Sequence, residues 1–502
     1  MKHIDWLYQM FDIVVIGGGI TGTSLSALLS KKLRVLLVEK NSYLGGRAAT
    51  RTPKEWGWGD STEYRVDYGH HMMAAGGFLE YTVHYTGADK YVNLVRVPIP
   101  YFYRMNKFYQ APVSLLQQIK AYDYMPLSGK LRLFRFLRFV KKTNVKEVIE
   151  KYAYTSLKDL FDEFNLRDYE RELLLDGFAA GYQTVAEENK NSAADLILCL
   201  KLFFKGLKTH RTPLLYPYGG FSNLSKAFAK IVEENNGKVV LNTKVEKILV
   251  NSENRVTGVK LSSGEKMNVK RVVIAFPIYE SLPLFDDETI EENNKFFNRV
   301  RESRKNASSL FLILMGAKTR LKGEILNTWI FVPRQEIDTH DTYMLISETG
   351  EKLGVAKGMK TVTSFAVLYE HGMNVKVLEE KIRRNVGKLF PSFNFEEVDW
   401  KASHIFPVVD GVARTIDWYH EKRFGPETPI KGLYVAGDSA YELSTGTDGC
   451  ASSALLTKLT LKPVTSATSP LLASPKTAKA FKTLRLLPLP LNITSTPLTA
   501  SL

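Results

Sequence analysis

The sequence predicts an α/β fold: a parallel sheet flanked by helices, interleaved with a second domain of α+β character. Three observations predict it. A nearly continuous apolar run, Phe11 to Ile16, leads through a glycine-rich turn into a helical stretch from about Thr21 to Ser30. A second apolar run, Arg34 to Glu39, follows and ends in an acid. Strand and helix patterns of the same kind return from Tyr216 to Pro277 and again at Leu433 to Ala436, so one sheet is drawn from both ends of the chain. At 502 residues the chain is also too long for a single ordinary core.

The first run has the unbroken hydrophobicity of a parallel strand covered on both faces. Behind it, Gly17-Gly18-Gly19-Ile20-Thr21-Gly22 fits G-x-G-x-x-G between a strand and a helix. In such a turn Gly17 permits the sharp reversal, Gly19 lets a pyrophosphate approach the backbone, and Gly22 lets the helix pack closely on the strand. The helix start at Ile20 and Thr21 offers free N–H groups and a positive dipole end to phosphate. Glu39 lies 17 residues beyond Gly22 and closes the next strand, with Lys40 after it. A carboxylate there accepts the hydroxyls of an adenosine ribose and repels a 2′-phosphate, which disfavours NADP. Strand context and acid together make this a Rossmann-type dinucleotide site. The residues that follow choose between dinucleotides. Gly45, Gly46 and Arg47 set more backbone and a guanidinium near the same pyrophosphate, a second clamp that simple NAD dehydrogenases do not need, so the expected cofactor is FAD.

These motifs resemble the flavin superfamily of monoamine oxidases, protoporphyrinogen oxidases and phytoene desaturases, most closely the phytoene desaturase-like members. The resemblance spans roughly Asp12 to Leu459. It includes Asp67-Tyr68-Gly69-His70, with His71 in the family's histidine place, and Pro217-Tyr218-Gly219-Gly220 before a helix. It continues through Asn242-Thr243-Lys244-Val245, Val272 to Pro277, and Gly437-Asp438 at the end of a C-terminal strand. It implies that Val245 contacts adenine, that Asp438 holds the ribityl chain or pyrophosphate, and that a helix after Gly446-Thr447-Asp448-Gly449 points at the flavin ring. The cofactor set is then Gly17, Gly19, Ile20, Thr21, Gly22, Glu39, Lys40, Gly46, Arg47, His70, Val245, Gly437, Asp438 and Gly449. No catalytic residue is identifiable, because the flavin accepts the hydride and the protein orients the substrate.

The FAD domain is expected in three pieces, 10–91, 212–280 and 408–461. A mostly helical region, 92–211, and a sheet region, 281–407, form the substrate domain. From 462 to 502 the chain is rich in Thr, Ser, Leu and Pro without periodicity, which predicts a disordered tail dispensable for FAD. A regulatory tail and an altered reading frame would both give such a composition. Gly449 to Leu502 holds six cations and no acid; without them the net charge of +15 falls to +9. That modest excess, with no aromatic–basic module, argues against nucleic acid.

The stretch Lys130 to Lys146 carries seven cations and no acid. Leu133, Phe136, Leu137 and Val140 share one helical face, while Arg135, Arg138 and Lys142 fall on another. A domain helix with a solvated basic face and an interfacial helix on anionic lipid both fit this pattern. No apolar run reaches the roughly 18–20 residues of a membrane span, and Met1 to Phe11 lacks a signal-peptide core, so a cytoplasmic location with peripheral membrane contact is expected. Two cysteines exclude a disulfide framework, and no metal spacing or nucleophile elbow is visible. The expected activity is removal of hydride from a lipophilic isoprenoid or carotenoid. The electron acceptor, protoporphyrinogen or amine oxidation, and a non-catalytic flavoprotein all stay open.

Overall fold

The computed structural model describes residues 10–69, 71–111, 121–179, 187–339 and 342–461. Its central sheet is parallel and five-stranded, in the order Lys238–Val240, Val35–Val38, Ile13–Ile16, Val272–Ile274, Leu433–Val435. Val15 lies between Leu37 and Val273, in register with both. The inner strands are Val, Ile and Leu throughout, because neighbours cover both faces. Ile13, Val15, Val35 and Leu37 point toward a helical layer, and Val14, Ile16, Leu36 and Val38 toward the opposite side. Each such side chain contributes about 1.5–3 kcal/mol by leaving water.

The helical layer contains the turn helix, Ile20–Ser30, together with Ser222–Glu234 and the C-terminal helix, Gly446–Thr460. A three-stranded antiparallel meander, Val245–Asn251, Arg255–Leu261 and Lys266–Asn268, covers the other face.

The second domain is a seven-stranded sheet in the order Val398–Phe406, Ser309–Ala317, Thr361–Tyr369, Met344–Thr349, Thr328–Val332, Tyr101–Arg104, Lys107–Gln110. Only the pair Thr328–Val332 with Tyr101–Arg104 is parallel. Leu378, Ile382 and Val386 of the helix Val375–Leu389 pack on one face of this sheet. Leu312, Leu314 and Phe331 face the interior core that the sheet shares with the helices. Those helices include the basic helix Leu127–Lys142 and the long helix Ala193–His210.

The predicted α/β class with an interleaved α+β domain is therefore the observed one. The tail 462–502 lies outside the described residues. Among them, no helix is long and apolar enough to cross a membrane.

Candidate functional site

A cavity of about 660 Å³ opens where the two domains meet. Its wall is assembled from the glycine turn, the segment after Glu39, the start of the meander at Val245, the long helix, and the C-terminal segment from Pro407 to Cys450. Gly17, Gly19, Ile20, Thr21, Glu39, Lys40, Gly46, Arg47, Val245 and Asp438 all line it.

The glycines separate into two kinds. Gly17 has φ +109°, which an L side chain rarely adopts. A Cβ on Gly22 would run into the Gly17 carbonyl oxygen, so Gly22 holds the helix against the turn and does not line the cavity. Gly19 is different. Its φ of −72° suits any residue, and a Cβ there would meet nothing nearer than the Gly45 carbonyl oxygen at 4.0 Å. The space beside it belongs to the cavity. The turn helix has no side-chain cap at Gly19, so its first N–H groups are left for an anion. Gly446, the first residue of the C-terminal helix, likewise has open space where a Cβ would stand, and this helix also lacks a side-chain cap.

Glu39 is buried at the cavity wall. Its carboxylate accepts the N–H groups of Gly18 at 2.6 Å and Asn41 at 2.8 Å. It thus fixes the glycine turn, and each oxygen keeps acceptor capacity for a further donor. Arg47 reaches across the cavity. Its Nη2 pairs with Asp438 Oδ2 at 2.8 Å, and its Nη1 donates to the carbonyls of Val408 at 3.0 Å and Val409 at 3.3 Å. Asp438 also accepts the Gly411 N–H at 2.7 Å. Burial pulls the guanidinium down and Asp438 more than reverses it, so Arg47 stays charged. Burial works against the Asp438 carboxylate too, but Arg47 and the Gly411 N–H hold it below the usual carboxylate range.

Beneath this pair lies a buried charge cluster. Arg414, with no exposed side-chain surface, meets Glu442 and Asp410 at 3.0 Å each, and Asp195 of the long helix at 4.0 Å. Arg423 meets Glu442 at 3.3 Å and donates to the carbonyls of Ala440, Val412, Trp418 and Asp438. Counting the Arg47 pair, three guanidiniums face four carboxyls. Neutrality keeps one proton, and burial pushes Glu442 up to about 8.

Two sequence expectations change, at Gly449 and at Gly437. Gly449 does not line the cavity, because the C-terminal helix begins at Gly446 and turns Gly449 inward, where a Cβ would strike Glu442. Gly437 adopts φ +115° and makes the strand-ending turn, while Asp438 supplies the cavity-facing group. His70 lies outside the described residues; His71 lines the cavity, with Nε2 at 3.0 Å from the Arg47 carbonyl. Asp67 is an anchor, accepting the hydroxyls of Thr50 and Tyr216 and the Phe221 N–H, and burial raises it to about 6.

The family model for the GDP dissociation inhibitor family matches residues 7–325. The chain belongs to this family. A guanosine nucleotide diphosphate dissociation inhibitor of Arabidopsis thaliana is 26% identical over 285 residues, covering 53% of this chain. Rab GDP dissociation inhibitor beta of Rattus norvegicus is 25% identical over the same share. The chain spans 63% of the length of these curated relatives. Among solved structures, an oxidoreductase from Methanosarcina mazei superposes with a TM-score of 0.68 at 18% identity, over 88% of this chain and 98% of that one. A Rab GDI from Plasmodium falciparum gives 0.60 at 16% identity, over 89% and 97%. A putrescine oxidase bound to putrescine gives 0.60 at 14% identity, over 90% and 98%. The resemblance to flavin oxidases thus holds for the fold, whereas the sequence family is that of the dissociation inhibitors. The family match ends before Asp410, Asp438 and Gly446, so the C-terminal wall of the cavity lies beyond it.

The sequence motifs do not mark the apolar part of the cavity lining, Leu202, Phe203, Leu214, Trp329 and Phe406. These residues come from three distant segments, and only the helical period of Leu202 and Phe203 hints at an inward face.

His71 yields a pH prediction. Burial, with the nearby Arg47 charge, pushes its imidazole down to about 4, so it stays neutral in the folded chain. The unfolded chain takes up the proton near pH 6.5. The contribution is therefore complete above about pH 6.5 and lost as the pH falls toward 4. Thermal melts across that range should show the loss, and His71→Gln, which keeps a donor for the Arg47 carbonyl, should shrink it by about 2–3 kcal/mol. Equal slopes for both proteins would refute the assignment.

Proposed function

We propose that this chain is a flavoprotein that holds FAD in the interdomain cavity and oxidises a lipophilic compound in its apolar lobe. The observation that carries the proposal is the single cavity joining Gly19, Glu39 and Arg47 to Asp438 and the C-terminal helix start. An absent side chain at Gly19 and an uncapped helix end suit a pyrophosphate, and Arg47 adds a fixed positive charge. Glu39 suits the ribose hydroxyls, Val245 flanks the base, and the Gly446 end suits the ring. When bound, FAD supplies a hydride acceptor.

The chain's own residues orient and exclude. Leu202, Phe203, Leu214, Trp329 and Phe406 would receive an apolar substrate and keep water out. Neutral His71 and protonated Cys450, which burial raises to about 12, add no charge there. An isoprenoid or carotenoid chain suits such walls better than an amine.

The second reading is non-catalytic, and the family match favours it. Relatives are named as inhibitors of GDP dissociation, in two cases for Rab, and a bound flavin could then be structural. Anaerobic mixing of the purified holoprotein with phytoene, protoporphyrinogen and amines separates the two. Bleaching of flavin absorbance by phytoene supports oxidation. Full flavin occupancy with no bleaching, together with slowed GDP release from a Rab protein, supports the second reading.

Glu39→Ala tests the site itself. The change removes the ribose acceptor and releases the N–H groups of Gly18 and Asn41, so FAD affinity should fall by about 1.5–3 kcal/mol in a fluorescence titration. A wild-type chain that binds NAD and not FAD would overturn the flavin assignment.

A further inference from the structure

The basic helix Leu127–Lys142 presents two apolar faces. Leu133, Phe136 and Val140 are buried in the domain, and Arg132 turns inward to Glu170 at 2.8 Å. The apolar face expected from the sequence is therefore a core face. On the opposite side Leu127, Leu131 and Phe134 are 68%, 57% and 42% exposed. Spaced four and three residues apart, they form one ridge along the helix. Arg138 continues the line of that ridge. By helical rotation Arg135 and Lys142 fall on one flank, and Lys130 and Lys141 on the other.

All but Lys130 of these flanking cations are exposed, as is Arg138. Arg135, Arg138 and Lys142 make no ion pair with any described residue, and Lys141 lies over the Phe204 ring at 4.4 Å. The helix contains no acid. The nearest acids in sequence lie outside it: Asp123 precedes the helix and is paired with Lys107 at 2.6 Å, and Glu147 and Glu150 belong to the next helix, where Glu150 is paired with Lys146 at 3.4 Å.

We propose that this helix lies flat on an anionic lipid surface. Leu127, Leu131 and Phe134 would enter the headgroup boundary, and the flanking Arg and Lys side chains would meet lipid phosphates. An exposed apolar ridge framed by cations on both sides is the arrangement such a surface complements. Sixteen residues make a rod about 24 Å long, and with its axis parallel to the surface the three ridge side chains reach one depth while the flanking cations stay at the level of the phosphates. The inner face of the same helix packs on the long helix, whose Leu202 and Phe203 line the cavity. The proposed surface thus sits over the helical layer that walls the apolar lobe. The proposal rests on the ridge and its cations, and it stands whether or not the cavity holds flavin.

The test is co-sedimentation of the full chain with vesicles of phosphatidylcholine alone and of phosphatidylcholine with phosphatidylserine, at low and high salt. Binding is expected on the anionic vesicles at low salt, with loss at high salt as the charges are screened. Each cation near the surface should raise partitioning about fivefold, so Arg135→Glu/Arg138→Glu should lower it more than about twentyfold. Leu131→Glu/Phe134→Glu, on exposed positions, should abolish it while leaving the melting temperature unchanged. Equal binding to neutral vesicles, or wild-type binding by either double variant, would overturn the proposal.

Discussion

Gly19→Ala is expected to fold and melt like the wild type yet carry no FAD, whereas Gly22→Ala loses both fold stability and cofactor. The two glycines sit three residues apart in one turn, and their surroundings set them apart. At Gly19 the backbone is extended, with φ −72° and ψ −176°, and the added methyl would stand free of protein by 4.0 Å. The methyl would occupy the space in which a pyrophosphate must sit, so it costs the apoprotein almost nothing and the complex its contact. At Gly22 the added methyl would overlap the Gly17 carbonyl, and Ala275 Cβ would be only 3.3 Å away. Backbone cannot yield as a side-chain tip can, so the helix must move off the strand. A loss of about 3 kcal/mol or more follows, the range of overpacking with a backbone shift. Flavin absorbance after gel filtration and a thermal melt on each variant decide the matter. If Gly19→Ala retained FAD, the cavity beside it would not be the pyrophosphate site.

That contrast shows what sequence carries and what it does not. The glycine turn and Glu39 were legible because strand, turn and acid lie within one short segment whose local chemistry dictates its shape. Asp438 was legible as a strand end, but its pairing with Arg47 joins opposite ends of the chain, and no local pattern encodes it. The C-terminal helix was read three residues late. Helix starts are poorly marked where no side chain caps them, and Gly449 was consequently placed at the flavin when it packs on Glu442. On the basic helix the apolar period was read correctly, but the sequence could not say which face the domain would cover. Arg414, Arg423 and Glu442 were invisible. A buried ion cluster looks, residue by residue, like any run of surface charges.

Arg414→Met should therefore be the most damaging single change beneath the site. The methionine fills much of the volume but leaves Asp410, Glu442 and Asp195 with one guanidinium fewer at a place without solvent. Breaking a buried pair by removing one partner costs about 3–5 kcal/mol, far more than the pair itself contributes. The damage should also reach the cavity, because Asp410 lines it and Glu442 lies against Gly449 of the C-terminal helix. Expected results are a melting temperature lowered by several degrees or outright insolubility, and reduced flavin content in whatever folds. Glu442→Gln is the companion variant. Burial raises Glu442 to about 8, so its carboxyl is mostly protonated in the folded chain at neutral pH, and the amide preserves its shape and neutrality. Below about pH 4.5 both chain states hold the proton; between there and about 8 only the folded state does, so this group's contribution falls as the pH rises. Glu442→Gln should abolish that fall and cost little at pH 7. A Glu442→Gln variant as damaged as Arg414→Met would mean that Glu442 is ionised and that the cluster carries one charge more than the neutrality argument allows.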